Sequence, residues 1–443
     1  MAGGRIVTGK LARSASMGLA ATRIGLKQLD RKGRGSSAEQ QLDHEREIGK
    51  ILFGALNQLK GTALKASQIL SMEVDFLPRG VREELSRGCY QATPLNAALV
   101  HRAFRREFGC GPEDLFEHFD PQAFSAASLG QVHFARGKGG RKLAVKVQYP
   151  GIAASIRSDV KMISNLLAVL SNASDLIPDR KVTGIVMDEI ERQLEREVSY
   201  QLEADNTDWF RDVLRLPGFS LPEVDRDRSS DRILTLGYLE GEHLEDWLAG
   251  NPDQAARDHY GQMIFDFFLH SVFELGCLHA DPHPGNFLFM DAGRLGLIDF
   301  GCIKQMPRDF AEGMADFYNC FIAHQLDPQP EALLAAYQRL GLVEEGLGLE
   351  EYSARLQPNL APLQRWIIEP FLTSVFDFSQ KEPMPHLEGA DARAAMPYLK
   401  GMPRNILYFD RTFHGVIHML RRIGARVRTQ NSWIGPDMAR VLT

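Results

Sequence analysis

Between Gly276 and Cys302 the chain reads GCLHADPHPGNFLFMDAGRLGLIDFGC, and this run constrains the rest more than any other. Two short apolar segments, Asn286 to Met290 and Leu295 to Asp299, flank the turn Asp291-Ala292-Gly293-Arg294, which is the pattern of a β-hairpin. Polar groups gather at both of its ends. Hard oxygen ligands such as Asn286 and Asp299 suit a divalent ion held on phosphates, and Asp281 would then orient an acceptor. A second reading takes His279, Asp281 and His283 as transition-metal ligands. Pro282 and Pro284 stiffen that run, however, and no further cluster completes a coordination sphere.

The spacing adds specificity. Asp281 and Asn286 stand five apart, as the Asp and Asn of the protein-kinase catalytic loop do, and Asp299-Phe300-Gly301 spells the DFG that follows it. A lone DFG is an ordinary strand exit; the three elements in register point to phosphoryl chemistry.

A chain of 443 residues, 44% hydrophobic, is long enough for a two-lobed enzyme with an extension. Its net charge of -6 gives no support to nucleic-acid binding by the whole surface. Five cysteines without a CxxC pair indicate neither a disulfide framework nor a structural zinc, and fit a reducing cytoplasm. The most apolar stretch, Met263 to Leu278, contains Asp266, His270 and Glu274, so it reads as a buried helix and not a membrane span. The N-terminal residues lack the apolar core of a secretion signal, so none is expected. The first 34 residues hold eight Lys and Arg against one acid, which describes a basic tail or a helix resting on anionic lipid.

Four parts are expected: a basic segment at 1–36, an N-terminal helical extension at 37–120, a small lobe at 121–240 and a helical large lobe at 241–443. The fold class is α+β, two-lobed and protein-kinase-like. In the extension, Leu52, Leu56, Leu59, Ala63, Ser67 and Leu70 form one helical stripe, with Lys65 and Gln68 on the opposite face. Val81 to Phe119 continues as amphipathic helix, interrupted near Gly109-Cys110-Gly111-Pro112. Val132, Phe134, Leu143, Val145 and Val147 recur at period two around a Gly137 to Gly140 turn, predicting a hairpin.

The small residues ahead of that hairpin, Ala126, Ala127, Ser128 and Gly130, form a loop that lets backbone approach phosphates. Ala144-Val145-Lys146 matches the strand pattern that places a phosphate-neutralising lysine. Helices are expected over Ile152 to Leu176, Val182 to Phe210 and His259 to Leu278. Within the second, a wheel at 100° per residue puts Glu197 on the apolar stripe, so Glu197 is the expected mate of Lys146. Glu203 falls on another face and is expected to meet the N-terminal extension. Tyr238 and Leu239 begin the crossing to the large lobe, where backbone groups would hold adenine. No APE tripeptide follows Gly301, and prolines from Pro358 to Pro403 are expected to break up the remaining helices.

These residues resemble the UbiB family of atypical, protein-kinase-like ATPases linked to ubiquinone biosynthesis. The likeness runs from about Leu52 to NILYFDRTFHGVIHMLRRIGARV and is carried by SAASLGQVH, LAVKVQYPG, EREVSYQLEADN, HADPHPGN and LIDFG. In that family an N-terminal KxGQ motif covers the active site; here Lys65-Ala66-Ser67-Gln68 stands in its place, with Ser67 where the family has Gly. The resemblance implies ATP or ADP bound with Mg2+ and ATPase activity stimulated by lipid or quinone precursors. It implies a regulatory role for Lys65, Gln68 and Glu203, and a peripheral place on the inner face of the membrane. Lys146, Glu197 and Asp281 would be catalytic, with Asn286 and Asp299 holding the metal. The alternatives are a nucleotide-dependent scaffold with little turnover, or a small-molecule phosphotransferase.

Overall fold

The computed structural model describes residues 38–56, 80–81, 83–84, 95–127, 129–173, 180–385, 395–400 and 403–435. The chain divides into two compact units. The first runs through Trp209 and adds Pro222–Tyr238; the second takes Phe210–Leu221 and continues from Leu239.

Among the described helices of the first unit are α1 (Ala38–Leu56) and α2 (Ala97–Phe108), the latter with N-cap Asn96 accepting from Leu99 N–H and a left-handed C-cap Gly109. An antiparallel sheet comes next: β1 (His118–Phe119), β2 (Ser125–Ala127), β3 (Gly130–Arg136), β4 (Lys142–Gln148) and β5 (Ile233–Gly237). Its order is β1-β3-β4-β5, with β2 also on β3. The period-two pattern sorts the two faces. Leu143, Val145 and Val147 are buried with Val100 and Phe104 of α2 on one side. On the other, Leu234 and Leu236 of β5 pack with Tyr200 and Ala204.

Between β4 and β5 lie α3 (Ile152–Ala173), α4 (Arg180–Glu197) and α5 (Tyr200–Val213). Ile156, Val160, Ile163 and Leu167 of α3 share a core with Ile190 and Leu194 of α4 and with Ile48 and Leu52 of α1. The expected single helix over Val182 to Phe210 is therefore two. They part at Val198-Ser199, where Gln148 Nε2 donates to Val198 O at 2.7 Å and Ser199 Oγ accepts from Leu202 N–H. Within the expected helical stretch from Val81 to Phe119, residues 81, 83 and 84 are helical, α2 and one turn at Pro112–Leu115 lie on either side of the expected interruption, and His118–Phe119 form β1 instead.

The second unit is built on α6 (Gln254–Phe273), buried on nearly every side through Tyr260, Ile264, Phe265, Phe267, Phe268, Leu269 and Val272. It stops short of the expected Leu278. Gly276, at φ 57°, turns the chain into β6 (Cys277–His279), which pairs with β9 (Ile303–Gln305). Between them β7 (Phe287–Met290) and β8 (Arg294–Leu297) form the predicted hairpin. Helices α7 (Arg308–Leu326), α8 (Pro330–Arg339), α9 (Gln357–Ile368) and α10 (Arg404–Ile423) complete the unit. Contrary to expectation, Pro362 does not break α9 but sits inside it, and Pro358 occupies its first turn. Among the described residues no helix is long and apolar enough to cross a membrane.

Candidate active-site residues

In the first unit the chemistry starts on β4. Alternation sends Lys146 to the face opposite Val145 and Val147, where α5 lies over the sheet. There Lys146 Nζ meets Glu203 Oε1 at 2.5 Å, both side chains almost wholly buried. This corrects the expected pair of Lys146 with Glu197; the part of the N-terminal extension that Glu203 was expected to meet, around Lys65 and Gln68, lies outside the described residues. The wheel ran a single helical phase through Val198-Ser199, and the helix break resets that phase. Glu197 instead closes α4 as a buried carboxylate. Thr207 Oγ1 donates to Glu203 O at 2.7 Å, fastening the turn that carries the glutamate.

The small-residue segment ahead of β3 is more regular than the expected loop. Ala126 and Ala127 lie in β2 and pair with Gln131 and Gly130. Ser128 lies outside the described residues. Gly130 is required by packing: a Cβ there would stand 2.4 Å from Val147 O and 2.8 Å from Tyr200 Oη. Behind the strand, Gln131 Oε1 accepts from Leu95 N–H, its amide meets His133 Nε2 at 2.7 Å, and His133 Nδ1 reaches Asp120 O at 2.8 Å. Burial holds the His133 imidazole below its ordinary pKa. The neutral ring then donates through Nδ1 and accepts through Nε2, so every group in this buried chain is satisfied. Tyr238 closes the unit with its N–H on Lys142 O and its ring at 5.5 Å from Phe134; Leu239 opens the next one. Lys65 and Gln68 lie outside the described residues.

In the second unit His279, at the end of β6, puts Nε2 on Asp299 O at 2.6 Å. His283 Nδ1 accepts from Gly285 N–H at 3.0 Å. Both rings thus tie the loop together, and among the described residues no group of three or more His, Cys, Asp or Glu could hold a metal. Asn286 sits in a short 3-10 turn at Pro284–Asn286, its Nδ2 donating to Asp281 O at 3.0 Å. That bond orients the amide so that its oxygen is the end left for a cation. Asp299 Oδ1 accepts from Gly301 N–H at 3.0 Å, which fixes the carboxylate while leaving it further acceptor capacity. Two oriented oxygen donors fit Mg2+, which keeps several waters and takes its other ligands from phosphates. Phe300 is fully buried, its ring 5.0 Å from Phe210 and 5.6 Å from His279, so the backbone around Asp299 is pinned by packing.

Sequence reasoning missed the Glu203 pairing and two residues of α10. Ser199, an N-cap residue type four positions before Glu203, was the available signal for the first. Arg411, set in the apolar stripe of α10, was the signal for the second.

Together the fold and these residues define a protein-kinase-like molecule. More narrowly, the chain belongs to the family of the ABC1 atypical kinase-like domain, whose model matches residues 89–327. It is 31% identical over 264 residues to the zebrafish atypical kinase COQ8B, covering 59% of this chain and 41% of that protein. It is 27% identical over 420 residues to the yeast atypical kinase COQ8, covering 94% of this chain and 80% of that one. The Mycobacterium tuberculosis protein Rv3197, solved in complex with erythromycin, superposes with a TM-score of 0.61 at 26% identity, over 89% of this chain and 96% of that one. The chain spans less than half the length of several curated relatives it matches.

Proposed function

We propose that this chain binds ATP with Mg2+ and acts as a kinase-like ATPase supporting ubiquinone synthesis, acting on or sensing a lipid or small-molecule intermediate. The observation that carries the reading is the orientation of Asn286 by Asp281 O, beside a DFG aspartate held by its own Gly301 N–H. In this reading Asn286 and Asp299 hold the cation, Asp281 orients the acceptor or attacking water, and Lys146, kept in place by Glu203, neutralises phosphate charge. Bound Mg2+ would supply charge neutralisation on the phosphates. The backbone of Ala126 to Gly130 would lie along the phosphates, and that of Tyr238 and Leu239 against the base. Lys65, Gln68 and Glu203 form the regulatory set in this reading, Glu203 being the carboxylate that also holds Lys146. The quinone pathway enters through the COQ8 relatives, and membrane association through the basic residues 1–34.

The test is binding of ADP or ATP to the purified full chain, with and without a divalent ion. Binding should require the ion and disappear in Asp299→Asn; metal-independent binding that survives the substitution overturns the assignment. Profiling quinone intermediates in cells lacking the protein, complemented with wild type or Asp299→Asn, tests the pathway and the use of ATP together. Restoration by wild type alone supports the reading, and equal restoration by both refutes the need for the metal site.

A further inference from the structure

Helix α10 touches the Asp281 loop on both sides of the aspartate. Arg411, 8% exposed, donates from Nη2 to Ala280 O at 2.7 Å. That carbonyl belongs to the same peptide unit as the Asp281 N–H. Ala280 N–H in turn donates to Cys302 O at 2.9 Å, and the same Arg411 Nη2 also lies 3.8 Å from Cys302 Sγ. One guanidinium therefore spans the entry to the loop and the exit from the DFG segment. One helical turn further on, Gly415 receives Pro282: a Cβ at 415 would stand 2.2 Å from Pro282 Cγ. Residues 411 and 415 share a helix face, so a rigid rail grips the residue before Asp281 and the residue after it. The carbonyl of Asp281 itself is held by Asn286 Nδ2. Both peptide planes flanking the Asp281 Cα are thus anchored, and Tyr408, one turn back, has its ring 5.4 Å from the guanidinium.

We propose that Arg411 is a positioning residue that sets the orientation of Asp281 through the Ala280 carbonyl, with the Gly415–Pro282 contact as its second point of support. The proposal rests on the reading of Asp281 as the residue that orients the attacking group. A guanidinium suits the task because it stays charged and is more weakly hydrated than an ammonium, so it can be buried on the Ala280 carbonyl at less cost than a lysine. Misplacing a reacting group by about 1 Å costs on the order of 100-fold in rate without removing any contact to the nucleotide.

The experiment measures Mg2+-dependent ATP hydrolysis and ADP affinity on the full chain for Asp281→Asn, Arg411→Lys, Arg411→Met and the Asp281→Asn/Arg411→Met double variant. Amide hydrogen exchange across 276–287 is followed in parallel. Arg411→Met should lower kcat roughly 10- to 100-fold with KM for ATP and ADP affinity within about twofold, and speed exchange at 276–287. Arg411→Lys should recover part of the rate, and the double variant should be no slower than Asp281→Asn. Additive losses in the double variant, or a matching loss of ADP affinity, overturn the proposal. Should Arg411→Met not fold, the split between kcat and KM in Arg411→Lys decides the same question. Full activity in Asp281→Asn would refute the underlying reading instead, and accelerated exchange in Arg411→Met would still report whether the rail holds the loop.

Discussion

At Lys146 a buried ammonium meets the Glu203 carboxylate, with side-chain exposures of 9% and 4%. Such a pair contributes little net stability, but breaking it strands a charge. Glu203→Gln should therefore lower unfolding stability by about 3 kcal/mol, read by urea denaturation, whereas joint replacement of Lys146 by Met and Glu203 by Leu should recover most of that loss. The hairpin turn poses a second residue-scale question. Ala292 has φ 59° and ψ 27°, the left-handed region that a Cβ disfavours. Ala292→Gly should stabilise by about 1 kcal/mol, seen as a raised denaturation midpoint with unchanged slope. The stretch was legible as a turn from Asp291 and Gly293, but the strained position within it was not, because φ depends on how β7 and β8 register.

At the scale of elements, the break between α4 and α5 determines which glutamate meets Lys146. Two bonds make it, one local and one from the sheet: Ser199 Oγ takes the Leu202 N–H, and Gln148 on β4 holds Val198 O. Ser199→Ala should cost about 1 kcal/mol as a lost cap. It should also raise the exchange rate of amides in the first turn of α5, measured on the native protein. A hydrophobic stripe reads straight through such a break because Ile190, Leu194 and Tyr200 are all buried whichever side of it they lie on. The helix containing Pro362 shows the converse. Proline removes one ladder bond, yet packing of Leu360, Trp366, Ile367 and Ile368 holds α9 together around it.

Across the whole molecule, His133, His270 and His418 are all held below the ordinary imidazole value, in each case first by burial. The unfolded chain therefore takes up protons at these positions before the folded one does. Stability is full above an unfolded pKa of about 6.5 and falls as pH drops below it. Thermal unfolding should show a midpoint that declines from pH 7 toward pH 5, with a shallower decline in His133→Gln; a flat profile would contradict the buried-neutral assignment. Much of the molecule was readable from local pattern. The period-two runs placed the β3–β4 hairpin and Lys146, the Asp281, Asn286 and Asp299 spacing marked the second unit's chemistry, and the apolar, sparsely charged run after Gln254 described a buried helix. These follow from backbone periodicity and side-chain type, which act over a few residues. Tertiary structure alone decided that Glu203 faces Lys146, that Gly130 is demanded by Val147 and Tyr200, and that Arg411 and Gly415 grip the Asp281 loop from more than a hundred residues away. Those contacts depend on where helices end and how they dock against a sheet or loop, and no local propensity encodes that.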